Sequence, residues 1–149
     1  MKHITKILGL ISFVLILSAC SKDSYNDNSS PSPTPGYRAD LSGMQETPPN
    51  ASTASGSFLA SYNSYNKTLT YTVSYTGLTA TMGHIHKGAF GVAGPVVFEL
   101  NNAGTSPISG TITLTDAQVA DLDNGLYYVN LHSAAYPDGE IRGQITNAK

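Results

Sequence analysis

Three histidines in this sequence have the spacing of metal ligands. His84 and His86 are separated by one residue, so in an extended strand both imidazoles lie on one face and Ile85 lies on the other. His132 belongs to a second alternating segment, where it is out of phase with the apolar positions. Three imidazoles that leave one coordination position open suit zinc or copper. If the two segments form neighbouring strands, the pattern predicts a zinc or copper site at His84, His86 and His132.

Polar residues on the same side offer an alternative to a metal. Asn130 is out of phase with the apolar positions of its segment, and Glu140 and Arg142 are out of phase with Ile141. All three are therefore predicted to share one polar face with the histidines. Hydrogen bonds and ion pairs on such a face could fix the register of the strands without a cofactor, and isolated histidines are more often hydrogen-bonded than ligating. The sequence leaves both interpretations open.

Catalytic chemistry has little support in the sequence. The glycines of residues 88–95 precede an apolar strand pattern, whereas a phosphate-binding loop needs a helix N-terminus to hold the anion. Ser, His and Asp occur without the G-x-S-x-G turn of a nucleophilic serine. The one cysteine, Cys20, has no second cysteine in the chain to form a disulfide with. We therefore expect a non-enzymatic protein.

The elements that position these residues are predicted to be short β-strands. In residues 69–75, LTYTVSY, four large residues alternate with Thr and Ser, as in a strand with one buried face. The pattern recurs in seven further segments, residues 39–41, 58–62, 83–85, 96–100, 112–114, 127–131 and 141–145. Thr115 and Gln118 have the spacing of a capping box and open one short helix. This order predicts an all-β fold, an antiparallel Greek-key sandwich or barrel of about eight short strands with one short connecting helix.

The first 20 residues have the pattern of a bacterial lipoprotein leader. Lys2 and Lys6 precede an apolar stretch, residues 7–17, and the segment ends in LSAC with the cysteine at Cys20. A membrane-spanning helix would need about 20 apolar residues, roughly twice what this stretch offers. We expect export, cleavage of a signal peptide over residues 1–19, and attachment to the membrane through lipid on Cys20. The expected location is the outer membrane or the surface of a bacterial cell envelope.

Composition divides the rest of the chain in two. Residues 20–36 are dense in Ser, Pro, Asn and Asp without apolar periodicity, which indicates a lipidated cysteine followed by an extended linker. Residues 37–149 form the predicted domain. Loss of the leader would leave 6 basic residues against 10 acidic ones, a balance that argues against a nucleic-acid partner.

Three long motifs in the domain resemble the CHRD module, which is repeated in the animal signalling antagonist chordin. They are LSGMQETPP (residues 41–49), HIHKGAFGVAGPVV (residues 84–97) and YYVNLHSAAYPDGEIRGQI (residues 127–145). The resemblance covers about residues 38–147 and implies an all-β extracellular module without an established activity of its own. In chordin the cysteine-rich modules are the ones tied to growth-factor binding. This chain has none of them, so that partner is not expected here.

The H-x-H strand and the distant third histidine are also similar to copper,zinc superoxide dismutase, an eight-stranded Greek-key sandwich. This sequence lacks the histidine that bridges the two metals, the zinc-binding loop and the disulfide of that family. The similarity therefore does not imply dismutation.

Two functions follow as expectations. The first is a lipid-anchored, non-enzymatic module of the cell envelope that binds an unidentified protein or glycan. The alternative is a zinc- or copper-binding protein with a superoxide-dismutase-like sandwich that uses His84, His86 and His132. The metal content of the purified protein would separate the two.

Overall fold

The computed structural model describes residues 36–148. The predicted signal peptide, Cys20 and the linker up to residue 35 lie outside this part of the chain. The described residues form nine strands, one α-helix and one 3-10 turn. The strands are β1 (Tyr37–Ser42), β2 (Ser55–Asn63), β3 (Thr68–Thr76), β4 (Ala80–Lys87), β5 (Val96–Glu99), β6 (Ile108–Thr113), β7 (Tyr127–Ser133), β8 (Ile141–Gln144) and β9 (Thr146–Asn147). Helix α1 spans Asp116–Asp123, and the 3-10 turn spans Gly43–Gln45. The prediction of an all-β fold with one short helix is confirmed.

The strands form one antiparallel sheet that curls into a half-barrel. Their order across the sheet is β5-β4-β7-β8-β1-β2-β3-β6, and β9 pairs with β1. Strands that are distant in sequence therefore become neighbours, since β4 pairs with β7 and β3 pairs with β6. The arrangement places β4, β7 and β8, which carry the predicted site residues, side by side.

The concave face of the sheet builds the hydrophobic core. In β3, Tyr71 and Val73 are 3% and 0% exposed, whereas Thr70 and Ser74 on the other face are exposed. Phe58 of β2 lies directly opposite Val73 and is fully buried. Removing an aliphatic or aromatic side chain of this size from water contributes roughly 1.5–3 kcal/mol. The period-two alternation thus corresponds to the burial that holds the sheet together.

Strand β7 is buried on both faces. Val129 and Leu131 lie in the core, while Asn130 and His132 on the opposite face are only 5% and 6% exposed. Side chains of this second face bond to loop residues, which cover it. The covering segments are residues 43–50, 88–95 and 134–139. The alternation predicts the side on which the polar residues lie, but not that loops bury it.

A β-bulge changes the predicted face of one residue. The alternation predicts that Val96 shares an inward face with Phe98, but Val96 is 45% exposed. The register between β4 and β5 shifts between Ile85 and His86, so that Ile85 lies opposite Phe98 and His86 lies opposite Val96. Because a bulge inserts one extra residue, the alternation reverses beyond it.

The last predicted strand is divided in two. Strand β8 ends at Gln144, and Ile145 is fully buried between the two strands. Strand β9 then pairs with β1 instead of following β7. Because of this division, the described chain has nine strands, whereas the sequence predicted about eight.

Helix α1 begins with the predicted capping box. The Thr115 side chain accepts a hydrogen bond from the Gln118 N–H at 3.3 Å, and Gln118 Oε1 accepts one from the Thr115 N–H at 2.8 Å. Leu122 is fully buried in the core cluster, so the helix packs over the core. No helix within residues 36–148 has the length and apolar composition needed to cross a membrane.

Candidate metal centre

The three histidines meet on the loop-covered face of the sheet. His84 and His86 extend from β4, and His132 extends from the neighbouring strand β7. His84 Nδ1 lies 3.0 Å from His132 Nε2. One ring nitrogen from each of the three residues lies within 4.8 Å of the other two. The structure therefore brings together the residues that the spacing predicted, and the metal itself stays a prediction.

The other nitrogen of each ring faces an oxygen. These oxygens are the Gly94 carbonyl for His86 Nδ1 (2.9 Å), the Pro137 carbonyl for His132 Nδ1 (2.9 Å) and a Glu99 carboxylate oxygen for His84 Nε2 (3.1 Å). A carbonyl or carboxylate oxygen accepts hydrogen bonds, so the ring nitrogen that faces it carries the hydrogen. We call this nitrogen the outer nitrogen of each histidine and the one that faces the other histidines the inner nitrogen. In a neutral imidazole the inner nitrogen is then a bare acceptor.

Three inner nitrogens consequently lie close together. His84 Nδ1 and His132 Nε2 are within hydrogen-bond distance, but in two neutral rings with protonated outer nitrogens neither has a hydrogen to donate, and His86 Nε2 is buried without a hydrogen-bond partner among the described residues. An unsatisfied buried acceptor costs about 1–3 kcal/mol. A proton shared by two of the rings would still leave His86 Nε2 unpaired, whereas a single cation at the centre satisfies all three nitrogens.

Burial favours the neutral form of His86 and His132. Burial lowers the pKa of His86 and of His132 below the usual imidazole value. For each residue the hydrogen bond to a backbone carbonyl opposes the shift, and the charge of His84 adds to it. Neutral imidazole is the form that binds metals.

Arg142 joins the histidines to their covering loop. Its guanidinium carbon lies 3.5 Å from the centroid of the Tyr128 ring, and that ring stacks on His86 with centroids 4.8 Å apart. The guanidinium also donates two hydrogen bonds of 3.1 Å to backbone carbonyls of residues 88–95. At 2% exposure, Arg142 holds in place the loop that supplies the Gly94 carbonyl.

The remaining predicted residues of the polar face lie beside the cluster. Asn130 is directly opposite His84 in the register of β4 and β7. Glu140 is buried, and its carboxylate accepts a hydrogen bond of 2.7 Å from Ser52 Oγ. The predicted polar face therefore has two parts. The histidines lie near the edge strand β5, and Glu140, which is bonded to Ser52, lies away from that edge.

Glu46 also belongs to this face, although strand alternation does not predict it. Its Oε1 and the Oδ1 of Asn130 are buried without partners in the described chain. Both atoms border Gly139, where an added Cβ would lie 2.7 and 2.8 Å from them. Gly139 also has a φ of 137°, which a residue with a side chain rarely adopts. The only sequence indication of Glu46 was its place in the motif of residues 41–49.

Burial favours the protonated form of Glu46. Burial raises the pKa of Glu46 to about 7, against the opposing effects of a hydrogen bond from the Thr47 backbone and of the Arg142 charge. Protonation gives the Glu46 carboxyl a hydrogen to donate, and the other carboxylate oxygen, Oε2, accepts a hydrogen bond of 3.5 Å from Asn130 Nδ2. His86 Nε2 has no comparable partner.

The histidine donor set fits a zinc or copper ion. Bonds of about 2.0–2.1 Å at tetrahedral angles place two ligand nitrogens about 3.3 Å apart, close to the 3.0 Å between His84 and His132. His86 has to move inward on binding. Oxygen acceptors on the outer nitrogens are the partners that ligating histidines usually have. Negative charge from Asp138 and Glu99 acts on His132 and would also attract a cation.

The comparisons with known proteins give a family assignment. The chain matches no curated protein and no solved structure. A family model described as the CHRD domain matches residues 37–145. This range extends from the first residue of β1 to the buried residue after β8 and includes the three histidines. Since the match covers well over half of the chain, the protein belongs to the CHRD domain family.

Proposed function

We propose that this protein is a lipid-tethered CHRD module of the bacterial cell envelope that binds one zinc or copper ion through His84, His86 and His132. The tether is the lipid on Cys20, and the module itself is non-enzymatic. The three inner nitrogens supply the protein ligands, and the fourth coordination position is available to a further ligand. The module thus holds a metal ion outside the cytoplasm.

One observation carries this proposal: one ring nitrogen from each of the three histidines lies within 4.8 Å of the other two, and His86 Nε2 is buried without a hydrogen-bond partner among the described residues. A structural polar layer predicts the opposite arrangement, in which each acceptor meets a donor. Arg142 and Glu140 follow that rule, because Arg142 donates to two carbonyls of the covering loop and Glu140 accepts from Ser52. The histidine cluster departs from it at His86 Nε2.

A titration of metal into the chain from residue 21 to residue 149 tests the proposal. The informative variant is His86→Asn, because the asparagine amide keeps a donor for the Gly94 carbonyl but removes the Nε2 ligand atom. Calorimetry should show one equivalent of zinc or Cu(II) bound at micromolar affinity or tighter by the unsubstituted chain. The His86→Asn variant should show no stoichiometric binding, while its stability changes by less than about 1 kcal/mol.

The pH dependence of the titration adds a second check. Protons compete with the metal for the imidazoles, and burial lowers the pKa of His86 and His132. Affinity should therefore stay constant at neutral pH and fall only below the ordinary imidazole pKa of about 6.5. The exposed substitution Thr70→Asn on β3 is the control and should bind as the unsubstituted chain does. Absence of binding in the unsubstituted chain at neutral pH would refute the metal function.

A second candidate function is recognition of a glycan or protein by the module without a metal. A groove of about 460 Å³ supports it, since this groove combines one exposed aromatic ring, Phe90, with polar side chains that can bond to hydroxyl groups. The polar lining residues include Arg38, Asp40, Gln45 and Gln144. Metal analysis of the protein purified from envelopes separates the two candidates, because only the first requires an equivalent of metal.

A further inference from the structure

Met82 lies on the same face of the sheet as the histidine cluster. Side chains alternate along β4, with Ile85 fully buried in the core and a Cβ on Gly83 meeting Leu131 of the core at 2.8 Å. Met82, two residues before His84, therefore lies on the face that carries the histidines. The register of β4 and β7 places it directly opposite His132.

The Met82 side chain is long enough to reach the neighbouring strand that carries His132. Directly opposite residues of an antiparallel pair have Cβ atoms about 4.5–5.5 Å apart, and a methionine side chain has three rotatable bonds. Met82 is 47% exposed, so the core does not hold its side chain in one position. A rotation that brings the sulfur toward His132 Nε2 would also cover part of this apolar side chain.

We propose that Met82 supplies the fourth ligand of the site and that the cognate ion is Cu(I), held by three imidazole nitrogens and one thioether sulfur. This inference rests on the proposed function and deepens it by naming the metal and its oxidation state. Neutral thioether sulfur is a soft ligand that suits Cu(I), whereas the sulfur ligand of zinc in proteins is a charged thiolate.

Charged groups of both signs lie around the site and act in opposite directions on a bound cation. All four ligands are neutral, so the ion keeps its full charge in a half-buried site. The fixed guanidinium of Arg142 flanks the Tyr128 ring on which His86 stacks, and repulsion of a cation by this charge is twice as large for a divalent ion as for Cu(I). The carboxylates of Asp138 and Glu99 attract a divalent ion in the same proportion, so the choice of Cu(I) rests on the thioether sulfur of Met82.

The test compares two methionine variants in the chain from residue 21 to residue 149, which lacks the thiol of Cys20. Met82→Leu removes the sulfur and keeps an apolar side chain of similar volume. Met44→Leu is the matched control, because Met44 is the other methionine of the described chain and is 74% exposed on the 3-10 turn. Cu(I) affinity is measured without oxygen, with ascorbate, by competition with the chromophoric chelator bicinchoninate. Zinc affinity is measured by calorimetry.

Met82→Leu should weaken Cu(I) binding by at least about tenfold and leave zinc affinity within about threefold. Met44→Leu should change neither affinity. In the unsubstituted chain, Cu(I) should shift the NMR signal of the Met82 methyl group but not that of Met44. Equal Cu(I) affinity in the Met82→Leu and unsubstituted chains, or an unshifted Met82 methyl, would overturn the Met82 assignment while metal binding by the histidines stands. Binding of neither ion to the unsubstituted chain would overturn the proposed function as well.

Discussion

Glu46 illustrates how burial sets the protonation of a single residue on the polar face. Its carboxyl is 8% exposed and lies beside the unpaired oxygen of Asn130. An ionised carboxylate there would face another acceptor in a site from which water is largely excluded, and this is unfavourable. The raised pKa of about 7 is the thermodynamic expression of that cost. The folded protein therefore keeps a proton on Glu46 that the unfolded chain has already lost.

The Glu46→Gln variant should be more stable than the unsubstituted protein above pH 7. In the unfolded chain Glu46 loses its proton near its ordinary pKa of 4.5, and in the folded protein it does so near 7. The folded state thus binds more protons between these values, so its stability falls as pH rises through this window. Glutamine does not titrate and keeps a hydrogen-bond donor, so the variant should be more stable by on the order of 3 kcal/mol at pH 8 and should differ little at pH 4.5.

Urea unfolding at pH 4.5 and at pH 8 measures this difference. Protonation of the histidines affects both proteins alike and cancels in the comparison. A Glu46→Gln effect of the same size at both pH values would show that the folded protein does not retain this proton.

Single residues of the site could be predicted only where strand alternation determines their direction. Alternation predicted that His84, His86 and His132 lie on one face, because this conclusion needs only the side-chain directions in two neighbouring strands. The carbonyls of Gly94 and Pro137, which select the tautomers of His86 and His132, belong to loops whose course has no periodic pattern. Glu46 was missed for the same reason, since its burial depends on segments that are distant in sequence.

At the scale of elements, β3 contains the alternation on which the fold prediction depends. Val73 is fully buried opposite Phe58, and the next residue, Ser74, is exposed. An unpaired charge at Val73 would have to be buried in the core, whereas a charge at Ser74 stays in water. Neighbouring residues of one strand should therefore respond in opposite ways to the same substitution.

Val73→Asp should destabilise the domain by about 3 kcal/mol or more, and Ser74→Asp should change its stability by no more than about 0.5 kcal/mol. Thermal unfolding followed by circular dichroism measures both. Val73→Ala, which adds no charge, should fall between them and provides a value if Val73→Asp does not fold. Similar losses for Val73→Asp and Ser74→Asp would mean that the register of β3 is misassigned.

Elements were predicted well where one face is apolar and less well where the alternation is interrupted. The eight predicted segments all contain strands, because burial of one face produces a local and periodic pattern. The bulge between Ile85 and His86 was not predictable, since an inserted residue changes the partner strand's pairing without a distinctive residue type. It explains why Val96 points outward.

At the scale of the whole molecule, the sheet separates two environments. Its concave face encloses an apolar core, and its other face holds a buried polar layer under three loops. Class and approximate strand number follow from the sequence, but strand order does not, because the pairing of β4 with β7 joins residues far apart in the chain. The polar layer exists only through that pairing. Metal binding at this site would therefore require the native pairing of β4 with β7 as well as the three histidine ligands.

The whole-molecule proposal also includes the tether, which depends on a single thiol. Cys20 is the one cysteine of the chain, so no other cysteine can replace it as the acceptor of lipid. Cys20→Ala should block lipid attachment, and the protein should accumulate as an uncleaved precursor or be released from the membrane. Labelling with radioactive palmitate and fractionation of cells measure both effects, and Ser21→Ala is the matched control that should behave as the unsubstituted protein does. Because Cys20 is not among the residues of the candidate site, the variant should bind metal with unchanged affinity. A Cys20→Ala protein that still carries acyl chains would disprove the lipoprotein assignment.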